Sequence, residues 1–323
     1  VSDAFVIDVG GTNDAPVGPA AGALADGVED VAYVVSAATL LAGFTDADGD
    51  TLSVTGLATS AGTLTNNGDG TWTLTTAANF NGAVTLSYTV TDGQGGSQAA
   101  ARSLNLAPAN DAPVASAVTG AASEDGPSVT VASSFTDADA GDSHTFAVNT
   151  AGTLGAVTNN NDGTFTYSPA GAFETLSAGQ TATDTFSYTV TDAAGAASTA
   201  TVTITITGQN DAPVAPAVTG SVGEDGPAAT VSASFTDADG ANTHTFAVNT
   251  TGLQGGVTNN NDGTFTYDPA QAFQSLAAGQ SATETFSYTV TDSSGASSQN
   301  TITITINGAN DAPDAVDDVA STA

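Results

Sequence analysis

The sequence contains no cysteine, no lysine and no methionine, and its single arginine is Arg102. Without cysteine the chain can form no disulfide and no thiolate zinc site. Without lysine it can form no lysine-based isopeptide cross-link. A metal ion is therefore the remaining kind of staple that could join parts of this chain. The absence of methionine also predicts that the sequence is a slice of a longer repetitive protein.

Basic residues are almost absent, whereas 34 aspartates and glutamates give a formal net charge of −33. Nucleic acid is excluded as a partner because phosphate binding needs lysine and arginine, and an anionic membrane surface is excluded for the same reason. No apolar run approaches the roughly 18 residues of a transmembrane helix, so direct membrane insertion is not expected. A chain this acidic repels itself when compact, which suggests either solubility in a salty medium or specific cation sites.

One tetrapeptide, Asn-Asp-Ala-Pro, occurs four times in the sequence. Its copies are 97, 100 and 100 residues apart and begin at Asn13, Asn110, Asn210 and Asn310. A fixed period near 100 residues indicates about three domains with a fragment at each end. The predicted boundaries are 1–13 for the end of a preceding repeat, 14–110, 111–210 and 211–310 for repeats one, two and three, and 311–323 for the start of a following repeat.

Apolar and polar residues alternate with a period of two throughout the repeats. The segment SYTVTD, which occurs at 87–92, 187–192 and 287–292, has the alternation of a half-buried strand. Asp-Gly pairs at Asp69, Asp162 and Asp262 separate alternating segments and indicate β-hairpins. About seven short strands in each repeat predict an all-β fold, with tandem immunoglobulin-like β-sandwich domains in a linear array.

Acidic residues recur at four places in each repeat. These places are the linker aspartate of Asn-Asp-Ala-Pro, a Glu-Asp pair that follows it, an Asp-Ala-Asp motif, and the aspartate that ends SYTVTD. Residues two apart on an extended strand face the same side, so the two aspartates of each Asp-Ala-Asp motif are expected to approach one ion. Ca²⁺ accepts oxygen ligands with flexible geometry, whereas Mg²⁺ demands a tighter octahedron. Ca²⁺ is therefore the predicted cofactor.

The order of these motifs resembles the cadherin-like repeats of large bacterial surface adhesins. Repeat one, with LLAGFTDADGDTLSV and NFNGAVTLSYTVTDGQGG, is similar to the bacterial cadherin-like tandem repeat. Repeats two and three, with LSAGQTATDTFSYTVTD and LAAGQSATETFSYTVTD, are similar to the VCBS repeat found in the same RTX-type proteins. The resemblance implies type I secretion, an extracellular location on the bacterial cell surface, and Ca²⁺ between successive domains.

The resemblance also implies a ligand set for each junction, drawn from the early glutamate of one repeat and the acids of the next. These sets are Glu29, Asp111, Asp137, Asp139 and Asp192 between repeats one and two; Glu124, Asp211, Asp237, Asp239, Asp292 and Asn242 between repeats two and three; Asp14, Asp46, Asp48 and Asp92 toward a preceding domain; and Glu224 and Asp311 toward a following one.

Two observations qualify this ligand set. Cadherins carry Asp-Arg-Glu where this chain has Ser177, Ala178 and Gly179, so the expected number of ions falls to about one or two per junction. Asn242 replaces Asp142 of repeat two, and its neutral oxygen suits either a calcium ligand or an ordinary turn. The alternative is that Asn-Asp-Ala-Pro is only a linker, in which proline favours an extended entry into the next strand.

These features suggest three candidate functions. The favoured one is a calcium-stiffened extender, a monomeric rod whose partners are its own neighbouring repeats, which holds a terminal binding domain away from the cell in attachment or biofilm formation. The alternative is an adhesin module that itself binds carbohydrate or protein, or a homophilic cell–cell contact, but binding pockets are usually lined by aromatic residues and this chain has one tryptophan. An enzyme is not expected, because His144 and His244 are replaced by Leu52 in repeat one.

Overall fold

The computed structural model describes residues 10–240 and 242–312. Within those residues the chain is all-β with one short helix, α1 (Ala37–Leu40), which confirms the predicted fold class. No helix in the described part of the chain is long and apolar enough to cross a membrane. The predicted fragment 1–13 lies outside the described residues up to residue 9, and the predicted fragment 311–323 lies outside them from residue 313 onward.

Repeat one contains two sheets. The larger has the strand order β1-β8-β7-β4, with β2 also paired to β8, and the smaller has the order β3-β6-β5. The strands are β1 (Ala21–Ala23), β2 (Gly27–Val28), β3 (Tyr33–Ser36), β4 (Ser53–Thr59), β5 (Thr63–Asn66), β6 (Thr71–Thr75), β7 (Gly82–Thr91) and β8 (Ser97–Ala107).

Repeat two also contains a larger and a smaller sheet, with the orders β10-β17-β16-β13 and β11-β15-β14, and a separate two-stranded sheet of β9 and β12. Its strands are β9 (Val114–Ser116), β10 (Val118–Ser123), β11 (Val129–Ala132), β12 (Ser134–Thr136), β13 (Thr145–Asn149), β14 (Ala156–Asn159), β15 (Thr164–Ser168), β16 (Thr181–Thr191) and β17 (Ala197–Thr207).

Repeat three follows the same plan, with sheets β18-β24-β23-β20 and β19-β22-β21. Its strands are β18 (Val218–Gly223), β19 (Ala229–Ser232), β20 (Thr245–Asn249), β21 (Gly256–Asn259), β22 (Thr264–Asp268), β23 (Ser281–Thr291) and β24 (Ser297–Asn307). In each larger sheet, the first strand lies parallel to the last strand of the repeat, as in the pairing of β18 with β24. Because the two strands are parallel, the residue that follows the first strand lies beside the end of the last strand, as Glu224 does beside Asn307.

The Asp-Gly pairs form hairpin turns, as the sequence predicts. In repeat two the turn joins β14 to β15, which pair antiparallel, and Gly163 adopts a φ of +85°. Asp162 Oδ1 accepts hydrogen bonds from the backbone N–H and the hydroxyl of Thr164, at 2.9 and 2.6 Å. These bonds, with the hydroxyl bond the stronger influence, lower the pKa of the Asp162 carboxyl. The hairpin aspartates are therefore occupied by their own turns.

The cores are formed by the inward-facing side chains of both sheets. In repeat three, Phe265 and Tyr267 of β22 pack with Phe286 and Tyr288 of β23 and with the isoleucines of β24. The Tyr288 hydroxyl donates to a backbone carbonyl at 2.7 Å, so its polar end is satisfied inside the sandwich. Trp72 of repeat one, which aligns with Phe165 and Phe265, packs against the equivalent core.

The internal contacts divide the described residues into two compact units. The first consists of residues 10–114 together with Thr136–His144 and Thr191–Ala197, and the second consists of Ala115–Phe135, Thr145–Val190, 198–240 and 242–312. The acidic loops of repeat two therefore belong to the same unit as the linker at Asp111. The equivalent loops of repeat three belong to the same unit as the linker at Asp211.

The only arginine of the sequence is buried in the core of repeat one. Arg102 is 5% exposed, and its guanidinium donates to the carbonyl oxygens of Pro19 and Ala42 at 3.1 and 3.3 Å. The same group lies over the rings of Phe44 and Tyr88, at 5.5 and 6.0 Å from their centroids. Carbonyl acceptors and aromatic faces thus stabilise this buried cation.

Because trypsin cuts only after lysine and arginine, the chain carries one tryptic site. Arg102 lies within β8, and proteolysis requires the local segment to open. We expect the folded chain to resist trypsin and the denatured chain to yield two fragments, 1–102 and 103–323. Gel electrophoresis of a time course checks this, with casein as the control for enzyme activity. Rapid cutting of the folded chain would contradict the burial of Arg102.

Candidate metal sites at the repeat boundaries

The asparagine of each of the first three Asn-Asp-Ala-Pro linkers is held by the aspartate that ends SYTVTD. The side-chain amide donates to Oδ2 of that aspartate, at 2.9 Å for Asn13 and Asp92, 2.9 Å for Asn110 and Asp192, and 2.7 Å for Asn210 and Asp292. The bond from Asn110, with the N–H groups of the following turn, lowers the pKa of Asp192 despite its burial. These aspartates thus fix the linker to the last loop of the repeat that it enters.

The second aspartate of each Asp-Ala-Asp motif accepts the backbone N–H of a linker aspartate. The distances are 2.7 Å from Asp14 to Asp48, 2.6 Å from Asp111 to Asp139, and 2.9 Å from Asp211 to Asp239. Linker and motif are therefore one hydrogen-bonded unit at each boundary. The arrangement places the linker carboxylate beside the carboxylates of the motif.

The expectation that Asp-Ala-Asp is an extended strand is wrong. In repeat two the backbone bends directly after β12, and Asp137 Oδ1 accepts the N–H of Asp139 at 3.0 Å. Aspartate favours such turns because its side chain hydrogen-bonds the backbone two residues on. The motif in repeat three has the same bond, at 2.9 Å. The two aspartates are consequently brought together by a turn and not by strand geometry.

Each histidine contacts the first aspartate of this motif. His144 Nε2 lies 2.7 Å from Asp137 Oδ2, and His244 Nε2 lies 2.6 Å from Asp237 Oδ2. The bond from His144 is the main reason that the pKa of Asp137 is lowered. This contact was not predicted from the sequence, in which Leu52 replaces the histidine in repeat one. Both oxygens of Asp137 have hydrogen-bond partners as a result.

The boundary at Asp111 brings together three of the predicted ligands. Glu29, Asp111 and Asp139 each place a carboxylate oxygen within 4.8 Å of the others. Glu29 is 1% exposed, and its oxygens accept a backbone N–H at 2.8 Å and the Asn81 amide at 3.0 Å. Burial and then the nearby negative charges, led by Asp30, raise the pKa of Asp111. The linker carboxylate therefore lies in an acidic environment without a cationic partner.

The boundary at Asp211 uses a different set of acids. Asp125, Glu174 and Asp211 place oxygens within 4.8 Å of one another. Glu124, which is 4% exposed, lies beside them, and one of its oxygens accepts a linker N–H at 2.5 Å. Burial and then the charges of Asp125 and Glu174 raise the pKa of Asp211. Burial is also the main cause of the raised pKa of Glu124.

Acidic clusters also lie beside the first and the last Asn-Asp-Ala-Pro linkers. One consists of Asp46, Asp48 and Asp50, and the other consists of Glu224, Asp225 and Asp311. Burial, followed by the charges of Asp46 and Asp48, raises the pKa of Asp50. The predicted ligands Asp14 and Asp92 do not join the first cluster, although Asp14 is hydrogen-bonded to Asp48.

These loops occupy the same positions in three successive domains of known type. Residues 12–107 match the family described as cadherin-like domain, and residues 110–208 and 210–308 each match the family described as bacterial cadherin-like domain. The chain belongs to the bacterial cadherin-like family. No curated protein matches it at the sequence level.

Solved cadherin structures share the fold of this bacterial cadherin-like chain. Mouse cadherin-23 repeats EC22–24 align with a TM-score of 0.55 and 15% identity, covering 92% of this chain and 99% of that one. Protocadherin gamma B7 extracellular domains 1–4 align with a TM-score of 0.51 and 16% identity, covering 90% of this chain and 75% of that one. At these identities the similarity establishes the fold alone.

The cadherin-like boundaries contain buried carboxylate oxygens that lack hydrogen-bond donors. Within residues 10–240 and 242–312, six such residues have an oxygen that is buried and unpartnered: Asp46, Asp111, Glu124, Asp211, Glu224 and Asp239. All six belong to the predicted ligand set. An unpartnered buried carboxylate is costly, whereas Ca²⁺ is bound by carboxylate oxygens. The donor set therefore fits a calcium ion on chemical grounds.

Sequence reasoning missed four acids that join the clusters: Asp50, Asp125, Asp225 and Glu174. Asp125 and Asp225 were visible as partners of the buried glutamates but were not assigned as ligands. Glu174 could have been found by aligning the core phenylalanines Phe80, Phe173 and Phe273, since it directly follows the second of them. It stands three residues before the segment where the loss of acids was predicted.

The side chain of Asn242 connects its own turn to the linker and to the last loop of repeat three. Its side-chain amide donates to Asn210 Oδ1 at 3.3 Å and to Asp239 Oδ2 at 3.2 Å. Its own carbonyl oxygen accepts a hydrogen bond from the Ser293 hydroxyl at 3.0 Å. A role for Asn242 as a calcium ligand stays a prediction.

Proposed function

We propose that this chain is a calcium-stiffened extender region of a secreted bacterial adhesin. Its tandem cadherin-like domains would hold a terminal ligand-binding domain away from the cell during surface attachment or biofilm formation. The proposed domain boundaries are 14–110, 111–210 and 211–310, and repeats two and three would be of the VCBS type. Family membership supports an extracellular adhesion or extender role, and the acidic clusters at the repeat boundaries support the dependence on calcium.

The observation that carries this proposal is the set of unpartnered carboxylate oxygens at the boundaries. Glu124, Asp211 and Asp239 each bury such an oxygen at the boundary between repeats two and three. The described residues supply no lysine or arginine to neutralise them, because the only such residue is Arg102. Calcium would supply the missing positive charge and connect the end of one repeat to the linker and loops of the next.

The ligands that we propose come from both sides of each boundary. Those between repeats one and two are Glu29, Asp111, Asp137, Asp139 and Asp192, with the corresponding set Glu124, Asp211, Asp237, Asp239, Asp292 and Asn242 between repeats two and three. Toward a preceding domain they are Asp14, Asp46, Asp48 and Asp92, and toward a following domain they are Glu224 and Asp311.

Calcium dependence would also couple folding to secretion of an RTX-type protein. A type I secretion conduit passes an unfolded chain, and low cytosolic Ca²⁺ would leave the like charges of the boundaries unneutralised. Outside the cell, Ca²⁺ would bind the folded form and shift the equilibrium toward it. Extracellular modules typically have dissociation constants of about 10⁻⁴ to 10⁻³ M, which suits sites that fill only after secretion.

Small-angle X-ray scattering tests the extender role directly. We expect the chain in millimolar Ca²⁺ to be longer and stiffer than in EDTA, because neutralised boundaries restrict the linkers. Ionic strength is matched with NaCl, and an equal concentration of Mg²⁺ is the control for general divalent screening. Coincident profiles in EDTA and Ca²⁺, with unchanged melting, would refute calcium-dependent stiffening and leave the acids as a salt-adapted surface.

A further inference from the structure

The residue that follows the core phenylalanine differs in charge between the three repeats. The residue after the core phenylalanine is Asn81 in repeat one, Glu174 in repeat two and Gln274 in repeat three. The phenylalanines themselves pack against equivalent cores. The backbone therefore presents this residue from comparable places, and the side chain is what varies.

In repeat one the residue at this position donates a hydrogen bond to the early glutamate. The Asn81 amide donates to Glu29 Oε2 at 3.0 Å, and the other Glu29 oxygen accepts a backbone N–H. Both oxygens of Glu29 are thus satisfied by the protein. In repeat three the Gln274 amide donates instead to Asp225 Oδ1 at 3.0 Å, and Glu224 Oε2 has no hydrogen-bond partner.

In repeat two the same position carries a third carboxylate. Glu174 places an oxygen within 4.8 Å of oxygens of Asp125 and Asp211, and its charge also acts on Glu124. Glu124 is only 4% exposed, and its Oε2 accepts no hydrogen bond. The amide that partners the early glutamate in repeat one is therefore replaced in repeat two by a carboxylate, and the early glutamate keeps a buried, unpartnered oxygen.

We propose that Glu174 gives the boundary at Asp211 one more charged calcium ligand than the boundary at Asp111 has, where the uncharged Asn81 holds the equivalent position. The two boundaries would then fill in order, with Asp211 occupied at a lower Ca²⁺ concentration than Asp111. The reason is that calcium affinity follows the number of charged oxygen ligands. This inference rests on the proposed function, because it assumes that the boundaries bind calcium.

The inference is tested by titrating the full chain with Ca²⁺ and following two backbone amides by NMR. The N–H groups of Asp111 and Asp211 report the two boundaries separately, because each donates to an Asp-Ala-Asp motif of its own boundary. We expect the midpoint at Asp211 to lie below that at Asp111. Glu174→Gln should raise the Asp211 midpoint roughly tenfold and leave the Asp111 midpoint unchanged.

Glu174→Gln keeps the shape of the side chain and reproduces the residue of repeat three. Asp262→Asn is the matched charge control, because it removes one charge from a hairpin turn whose acceptor the asparagine retains. Equal midpoints at both amides, or an Asp211 midpoint that Glu174→Gln does not move, would overturn this inference while leaving the proposed function intact. No calcium response at either amide would overturn the proposed function and this inference together.

Discussion

Replacing Asp237 and Asp239 together by asparagine is expected to change stability in opposite directions in EDTA and in calcium. In EDTA the variant should be as stable as the parent chain or more so, because two negative charges leave a crowded boundary. In Ca²⁺ it should be less stable, because an uncharged amide is a weaker calcium ligand than a carboxylate. A change in the free energy of unfolding that reverses its sign between EDTA and Ca²⁺ identifies cation ligands more clearly than a loss of stability in one condition.

The asparagine substitutions are chosen because they keep the backbone hydrogen bonds that the aspartates accept, while the contact of Asp237 Oδ2 with His244 is altered equally in EDTA and in Ca²⁺. Asp239 Oδ2 accepts the N–H of Asp211 at 2.9 Å, and Asp237 Oδ1 accepts the N–H of Asp239 at 2.9 Å. An asparagine carbonyl can accept both bonds, whereas alanine would remove them. Any difference that depends on calcium then arises from charge and not from the turn.

The size of the effect follows from linkage. A site with a dissociation constant of about 10⁻⁴ M in about 10 mM Ca²⁺ adds about 2.7 kcal/mol to the free energy of unfolding. We expect the variant to lose most of this amount at its boundary. Differential scanning calorimetry in EDTA and in Ca²⁺ measures it, with Asp262→Asn as the charge control. An equal loss of stability in both conditions would mean that these aspartates serve only as hydrogen-bond acceptors.

Local signals in the sequence predicted the strands because each repeat obeys a simple alternation. The period of two in SYTVTD places Tyr188 and Val190 on the core face, and both are fully buried. The Asp-Gly pairs predicted hairpins because glycine accepts a positive φ at little cost, as at Gly163 and Gly263. These features depend on neighbours in sequence and were therefore readable without a structure.

The contacts of the candidate site were harder to predict because they join residues far apart in the chain. Asn81 and Glu29 are 52 positions apart, and no local pattern links an asparagine after a phenylalanine to a glutamate near the start of the repeat. The turn in Asp-Ala-Asp was also missed, since the motif follows a strand directly. Here the side chain of the first aspartate accepts the backbone N–H of the second, which is then not available for strand pairing.

Replacing Asp184 by valine is expected to destabilise repeat two strongly. Asp184 lies on β16, is 4% exposed, and accepts hydrogen bonds from the Tyr167 hydroxyl at 2.8 Å and from Leu154 and Gly155 N–H at 3.0 and 2.8 Å. Valine would leave these donors without an acceptor, at about 1–3 kcal/mol for each one that stays buried. We expect a total loss of about 3–5 kcal/mol.

Repeat one shows that the fold itself does not need this carboxylate. At the equivalent positions it has Val84 on β7 and Leu74 on β6, and both are buried. The loss of stability in Asp184→Val should therefore come from the buried donors that are left without an acceptor. The valine itself fits at this position of the fold. Tyr167→Phe, which removes the hydroxyl but keeps the ring, completes a double-mutant cycle. We expect a coupling free energy of about 0.5–3 kcal/mol between the two positions.

Native-state hydrogen exchange measures this effect within the intact chain. Peptides from β15 and β16 should exchange faster in Asp184→Val, while peptides from β22 and β23 of repeat three act as the internal control. A multidomain chain need not unfold in one step, so a local readout is preferable to a single melting temperature. Unchanged protection in β15 and β16 would show that the buried carboxylate contributes little to stability.

Acid should reproduce part of this loss in the parent chain. Although burial acts to raise it, hydrogen bonds from Gly155, the Tyr167 hydroxyl and Leu154 lower the pKa of Asp184 in the folded state. A carboxyl whose folded pKa lies below its unfolded value stabilises the protein above the unfolded pKa, and this contribution is lost as the pH falls through the folded pKa. Asp184→Asn has no such group, so its exchange rates in β15 and β16 should vary less with pH below about 4. Identical pH dependence in the two chains would mean that the folded protein does not favour the ionised form of Asp184. The hydrogen bonds to Asp184 would then be accepted by a neutral carboxyl.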